Sequence, residues 1–397
     1  MPKLLQINVV ANQGSTGKIA EQIGRLAISK GWDAFMAYGR GTPSSEQELI
    51  RIGTDFGIKL HALQTRVFDN HGLASNVATK QLIKRIESIQ PDIIHLHNIH
   101  GYYLNYSILF EFLSRYNKPI VWTLHDCWAF TGHCAFFDFS GCDKWKTHCW
   151  NCPSKISYPS SFFIDRSSRN FDEKRLSFLS PNNITLVPVS EWLNGLLGRS
   201  FLSKIPTRVI HNGVDTDVFS GVRTNQNRPT YSIISVANNW SEPRKGLKDI
   251  IVLRNQLPAD YSITVVGLTD KEAKRLPKGI IGITRTTNQH ELASIYANAD
   301  LFVLPTYEDN FPSVILESLA SGTPVVVYDT GGCSEAVNYQ VGLVVTKGDI
   351  DALTDAVVSM RKNPISRVAC RNWAESHFKN EACFNAYFEL YDELLRK

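Results

Sequence analysis

No run of about 18 apolar residues occurs in the 397-residue chain, so no segment is expected to cross a bilayer as a helix. The opening MPKLLQINVVANQG has no long apolar core of the kind an export signal needs. It reads as a first strand, and the chain is expected to be cytoplasmic, with thiols or metal ligands rather than disulfides. Excess charge is also scarce. A net +4 does not suggest nucleic acid as a partner, yet leaves room for a local basic patch on anionic lipid. There is no short-period repeat and no low-complexity tract. Gln13-Gly14-Ser15-Thr16-Gly17-Lys18 is not a phosphate-binding Walker loop, because Asn12 and Ile19 stand where that motif needs Gly and Ser or Thr. The pair Asp215-x-Asp217 has the spacing of a metal-binding acid motif but is not at a strand end, and reads as structure.

Short apolar runs alternate with helical patterns, which predicts an α/β fold of doubly wound sheets. In the first half the strands are LLQINVV, AFMAYG, DIIHLHN, IVWTLHD and ITLVPVS. In the second they are TYSIISVA, YSITVVG, LFVLP, TPVVVYD and GLVVT. The length suits two domains with separate cores. A loop is expected over Gly221–Pro229, and a helix over Asn380–Lys397 that carries Phe384, Tyr387, Phe388 and Tyr391.

The densest pattern is Tyr307–Gly332, YEDNFPSVILESLASGTPVVVYDTGG. It reads as a polar turn after a strand, a helix with Pro312 in its first position, a stop at Gly322, a second strand and a glycine turn. A helix N-terminus beside strand ends favours an anion. Hydroxyl-binding acids next to it suit a ligand with both ribose and pyrophosphate. Asp309 stands eight positions before Glu317, and Gly322-Thr323-Pro324-Val325 follows; Glu308 is one residue too far away. This pattern resembles the donor signature of glycosyltransferase family 4.

The resemblance covers nearly the whole chain and implies a retaining enzyme of the GT-B fold. That fold has two Rossmann-like domains facing a central cleft, here residues 1–205 and 206–377, with 378–397 crossing back to the first. TRVIHNGVDTDVF resembles the segment between the domains. The implied partners are a nucleotide-diphosphate sugar and a glycan or undecaprenyl-linked saccharide acceptor, with a peripheral contact at the inner membrane face and no metal needed for catalysis. The setting implied is bacterial surface polysaccharide assembly. Glu317 is expected to hold the ribose, and Asn310, Phe311, Pro312, Ser313 and Val314 to line the donor site. Lys245, then Arg244, would neutralise the leaving diphosphate. His125 and Asp126, at the end of IVWTLHD, are expected beside the donor sugar with Asp309, and His97, Asn98 and His100 are further lining candidates. Gly14, Ser15, Thr16 and Gly17 would form a loop over acceptor and phosphate. The chain departs from the family pattern at Asp309-Asn310-Phe311-Pro312, where Glu and Gly-Phe-Gly are usual, and at Ala237-Asn238-Asn239-Trp240, where an Arg after a Gly is usual. An epimerase of the same fold and a non-catalytic partner subunit are the competing functions.

Five of the eight cysteines fall between Cys127 and Cys152, in a long aromatic segment without periodicity. Such a segment needs something to pin it. Cys134, Cys142, Cys149 and Cys152 could supply four thiolates to a structural zinc, with Cys149-x-x-Cys152 at knuckle spacing and His133 or His148 as substitutes. Buried free thiols and disulfides are the other two readings. The block resembles one in family 4 enzymes of the colanic-acid and capsule type, where its place after His125 implies a role in acceptor recognition.

Overall fold

A computed structural model describes residues 1–224 and 229–396. The chain divides into two compact units: Met1–His211 with the segment from Phe384 onward, and Asn212–Cys383. Each unit is built on one six-stranded sheet. The first holds β1 (Lys3–Val10), β2 (Asp33–Arg40), β3 (Glu48–Arg51), β4 (Ile93–Leu96), β5 (Ile120–Leu124) and β6 (Ile184–Pro188). The second holds β7 (Tyr231–Val236), β8 (Tyr261–Val266), β9 (Ile280–Ile283), β10 (Leu301–Leu304), β11 (Val325–Tyr328) and β12 (Gly342–Val345). Their orders are β3-β2-β1-β4-β5-β6 and β12-β11-β10-β7-β8-β9. Counted within its own unit, each sheet runs third, second, first, fourth, fifth, sixth, the doubly wound order. All pairings are parallel.

Helices cover both faces of a doubly wound sheet, so its inner strands are apolar without alternation. β4, β5, β10 and β11 are buried at every position. The two strands that the sequence pattern does not announce, β3 and β9, are both sheet edges. Each has four residues, and β9 leaves Ile281 57% exposed, so neither carries a continuous apolar run. The helices Asp55–Phe68, Asn76–Ile89, Ser167–Phe178 and Arg367–Phe378 were likewise not expected. In the first of them the buried residues are His61 and Thr65, so apolar periodicity does not mark its inner face.

The first unit extends past the expected boundary at 205. The stretch after Pro206 runs along β6, with Arg208 N–H donating to Leu186 O (3.0 Å) and Ile210 N–H to Pro188 O (3.2 Å). The second unit keeps residues 378–383 because Val214 exchanges backbone hydrogen bonds with Phe378 and Asn380 (2.8 and 3.0 Å). Asp215 Oδ1 accepts from the N–H groups of Asp217 and Val218 (3.1 and 3.0 Å), so this acid holds its own turn. Residues 225–228 of the expected 221–229 loop, and Lys397, lie outside the described residues.

The helix Asn380–Leu395 buries Phe384, Tyr387, Phe388 and Tyr391. From Phe384 it belongs to the first unit. Trp32 meets Phe388 edge-on (5.7 Å), Tyr391 OH is 2.6 Å from His95 Nδ1 on β4, and Thr123 Oγ1 on β5 donates to Tyr387 OH (3.1 Å). Tyr391→Phe strands a buried imidazole nitrogen. It should cost roughly 1–3 kcal/mol, read as a lower urea midpoint for the first unit, and an unchanged midpoint would disprove the anchoring role.

Candidate active site

In an open parallel sheet the helices diverge to opposite faces at the switch between the two halves, and the carboxyl ends of those strands are left uncovered. In the second unit the switch lies between β7 and β10. The segment after β7 makes a short turn, Pro243–Lys245, that Gly246 ends at φ 77°. A Cβ there would sit 2.0 Å from Pro305 O, so this turn and the end of β10 are in backbone contact that only glycine permits. The result is a buried ion pair, Lys245 Nζ to Asp309 Oδ2 at 2.5 Å, with the side chains 10% and 19% exposed. Asp309 Oδ1 accepts the Asn310 N–H (3.1 Å). Burial pushes the Asp309 carboxyl up, but the Lys245 and Arg244 cations and these hydrogen bonds outweigh it and hold the group below its ordinary range. Asp309 is therefore an ionised carboxylate with both oxygens engaged. Arg244 is pinned too, donating to Glu308 O (2.8 Å) and pairing with Glu242 (2.6 Å).

The helix Ser313–Ala320 follows, with Pro312 as its N-cap and not in its first turn as the sequence suggested. Pro312 already has the extended ψ of 121°, so helical geometry starts one residue later. No side chain caps this end, and its first N–H groups have no partner within the helix. Glu317 is folded back toward it: Oε1 accepts from Ser313 Oγ (3.0 Å) and Oε2 from Tyr296 OH (3.3 Å). Pro312, Ser313, Val314 and Glu317 are half-buried, whereas Asn310 and Phe311 are buried, and Phe311 O accepts from Asn212 (3.1 Å). Gly331, at φ 56°, lets the turn after β11 press on Asp309, whose carbonyl oxygen would be 1.6 Å from any added Cβ.

In the first unit the switch lies between β1 and β4. Gly14, Ser15, Thr16 and Gly17 are not a loop but the first turn of the helix Gly14–Ser29. The true connection is only Ala11–Gln13, because Asn12 N–H already closes onto Gly17 O (3.1 Å). The end of this helix also lacks a side-chain cap, and Gly14, at φ 62°, faces open space. At the end of β4 and β5 the imidazoles form a ladder. Gln6 Nε2 donates to Ala20 O and Gln47 Oε1, so its Oε1 is an acceptor and His97 Nε2 must carry the proton for their 3.0 Å bond. His97 Nδ1 is then the acceptor for His125 Nε2–H (3.3 Å). Asp126 accepts from His100 Nε2 (2.9 Å) and the Trp128 N–H (2.9 Å), and His100 Nδ1 meets Tyr158 OH (2.9 Å). His97, Asn98, His100, His125 and Asp126 line one small cavity.

Against this geometry, the comparisons are specific. A model described as Glycosyltransferase Family 4 matches residues 19–218, just over half of the chain, and one described as Glycosyl transferases group 1 matches 231–363. The chain belongs to glycosyltransferase family 4. Among its relatives is the putative colanic acid biosynthesis glycosyl transferase WcaC of Escherichia coli, 26% identical over 87% of this chain and 88% of WcaC. The putative teichuronic acid biosynthesis glycosyltransferase TuaC of Bacillus subtilis is 29% identical over 28% of this chain and 29% of its own. Two solved structures share the fold, which is GT-B. Sucrose-phosphate synthase from Thermosynechococcus elongatus aligns over all of both chains (TM-score 0.73, 16% identical). HepE from Anabaena, in complex with UDP, aligns over 99% of this chain and all of its own (TM-score 0.67, 15% identical).

Several residues of these two clusters have no motif to announce them. Tyr296 and Glu242 are ordinary helix and loop residues in the sequence, and Tyr158 lies in the aperiodic segment. Gln6 and Asn8 do carry a signal: they are polar positions inside the buried run of β1, and a buried amide needs a partner. Burial drives the His125 pKa down to about 4 and His95 to about 3, so both are neutral at pH 7. Unfolded imidazoles bind a proton at higher pH than these do, so the stability they confer is complete above about pH 6.5 and is lost as pH falls toward 4. Thermal midpoints measured from pH 7.5 to 4.5 should fall below pH 6.5, less steeply in His95→Gln. A flat profile across that window would contradict the neutral ladder.

Proposed function

We propose that this enzyme transfers a sugar, with retention, from a nucleotide-diphosphate sugar to a hydroxyl of a lipid-linked glycan in bacterial surface polysaccharide assembly, without using a metal. The observation that carries this reading is the second unit's switch point, where a buried lysine and a carboxylate at a helix N-terminus stand together. Glu317 would accept hydrogen bonds from the ribose hydroxyls in exchange for those of Ser313 and Tyr296. The uncapped helix end and Lys245 would meet the diphosphate. In the transfer the bond from the sugar's anomeric carbon to the diphosphate oxygen breaks and the acceptor oxygen bonds on the same face. The acceptor's proton leaves on the diphosphate. Negative charge grows on the leaving oxygen, and Lys245, held by Asp309, is already oriented for it and needs no reorganisation. Asp309 is in this account a positioning residue. Support for the donor comes from HepE, solved with UDP and with UDP-glucose; support for the setting comes from the names of WcaC and TuaC.

In the first unit, the cavity lined by His97, His100, His125 and Asp126 suits sugar hydroxyls, which need both donors and acceptors. A lipid-linked acceptor is supported by the helix Asp55–Phe68, which turns Phe56, Leu60 and Leu63 outward (76%, 45% and 56% exposed) with Lys59 and Arg66 beside them. Phe162 and Phe163, 58% and 74% exposed, adjoin it through the Phe162 N–H bond to Arg66 O (2.9 Å). Apolar side chains with cations at their rim fit an anionic lipid surface. No helix among the described residues is long and apolar enough to span a membrane.

Thermal shift with UDP, GDP, ADP and dTDP should pick out one base, with about 2.7 kcal/mol of stabilisation at a hundredfold excess over Kd. Glu317→Ala should abolish the shift. Lys245→Met should lower kcat by about 10²–10³; a folded protein that responds to no nucleotide would overturn the transferase reading in favour of a non-catalytic partner subunit. Independently, the protein should co-sediment with vesicles containing phosphatidylglycerol, and the Phe56→Ser/Leu60→Ser double variant should not. Equal sedimentation of both would remove the membrane contact while leaving the transferase intact.

A further inference from the structure

No step of the proposed transfer involves the cysteines of the segment Cys134–Cys152, yet its interior is built to a plan. Cys134, Cys142, Cys149 and Cys152 line one cavity with His133 and Trp145. Its free room is about 10 Å³, the space of one water-sized sphere. All four cysteines are unbridged, and Cys134 and Cys152 are close neighbours in it. The backbone is shaped to deliver them. Asn151, at φ 43°, makes the tight turn of Cys149-Trp150-Asn151-Cys152, and Gly141, at φ 62°, precedes Cys142. Gly132 is so close to Cys149 that an added Cβ would lie 2.7 Å from that cysteine's Cβ and 2.0 Å from Ser167 O.

The donors around the cavity are those an anionic sulfur cluster would need. Gly132 N–H points at Cys149 Sγ (3.2 Å). His133 is fully buried, its Nδ1 bound to the equally buried Asp69 at 2.6 Å, while its Nε2 has no hydrogen-bond partner. Trp145 Nε1 is buried without a partner too. Two buried polar nitrogens without a partner on one cavity wall, of which the Trp145 N–H is a donor, are costly unless something fills the space between them. Lys174 is buried and gives its two hydrogen bonds to carbonyls, of Trp128 (2.6 Å) and Thr131 (2.9 Å); Asp126 and Asp69, as well as Cys134 and Cys149, are its electrostatic neighbours. Neutral thiols are poor acceptors for the Gly132 and Trp145 N–H groups, and thiolates on a metal are good ones.

We propose that Cys134, Cys142, Cys149 and Cys152 bind a structural zinc ion as four thiolates, with the Gly132 and Trp145 N–H groups donating to the sulfurs and Lys174 beside them. Binding releases the four thiol protons to solvent and leaves the site with two net negative charges. Among the described residues no three such side chains already stand as a finished metal cage. The four cysteines share one cavity, and side-chain rotation into it would have to bring the sulfurs to about 2.3 Å from the ion. His148 is no ligand: it is bound to Asp172 (3.2 Å) and half-exposed. The ion would pin the segment that carries Tyr158 to His100.

Metal analysis of protein freshly purified in reductant should find one zinc per chain. Cobalt substitution should give the charge-transfer absorption of four thiolates, and chelation should lower the thermal midpoint and make four further thiols reactive. Cys149→Ser should lose the metal and Cys383→Ser, outside the segment, should keep it. Trp145→Phe should weaken zinc by about 10–100-fold. Should Cys149→Ser fail to fold, the wild-type metal content and cobalt spectrum still decide. Wild-type protein that carries no zinc, takes up neither zinc nor cobalt, or shows a disulfide among these cysteines by mass spectrometry would overturn the proposal.

Discussion

In each sheet the chain starts in the middle, winds to one edge, and returns to the middle to wind to the other. The helices that cover the sheet therefore part at the central pair of strands, and no helix can close over the carboxyl ends there. Backbone groups and side chains at that gap cannot be satisfied by the core. They must find one another or a ligand. Both candidate clusters are consequences of this one constraint: Lys245, Asp309 and Glu317 gather at β7 and β10, and Asn8, His97 and the Gly14 helix start gather at β1 and β4.

The two gaps solve the same problem with opposite electrostatics. In the second unit a charged pair is buried, which is tolerable only because Lys245 and Asp309 compensate each other; removing one would leave the other costly. In the first unit the imidazoles of His95, His97 and His125 sit together, and burial keeps them neutral, which avoids repulsion. The tautomers of His97 and His125 are set in sequence by Gln6, whose own amide is fixed by Ala20 and Gln47. A pocket with a fixed cation would suit an anionic diphosphate, and one with both donors and acceptors would suit a sugar hydroxyl, as proposed above. The C-terminal helix completes the first arrangement, since Tyr391 and Tyr387 supply the hydroxyls that His95 and Thr123 need.

Glycine has a decisive part at two of these points. Gly246 and Gly331 each bring a loop backbone within a distance of Pro305 and Asp309 that no side chain would allow. The Lys245–Asp309 pair depends on both contacts. Away from the gaps, the cysteine segment replaces regular structure with a tight core in which Phe137 stacks on Trp145 (4.8 Å) and Phe130 meets Trp145 edge-on (5.2 Å).

Local pattern determined the inner strands, the two-domain α/β class and the family, because parallel strands buried on both faces must be continuously apolar and because the Asp309–Glu317 spacing is a property of one turn and one helix. It did not determine β3 or β9, whose edge positions leave them short and half-exposed, or the helix Asp55–Phe68, whose buried face is polar. Above all it could not decide roles that depend on partners far along the chain. The sequence shows Asp309 only as an acid expected beside the donor sugar; that its carboxylate rests on Lys245, 64 residues away, shows only in the fold. The glycine loop at 14–17 becomes a helical turn, and the protonation of His125 is decided by Gln6 through His97. Charge state and tautomer follow from burial and from the neighbour in space, and only the tertiary structure supplies either.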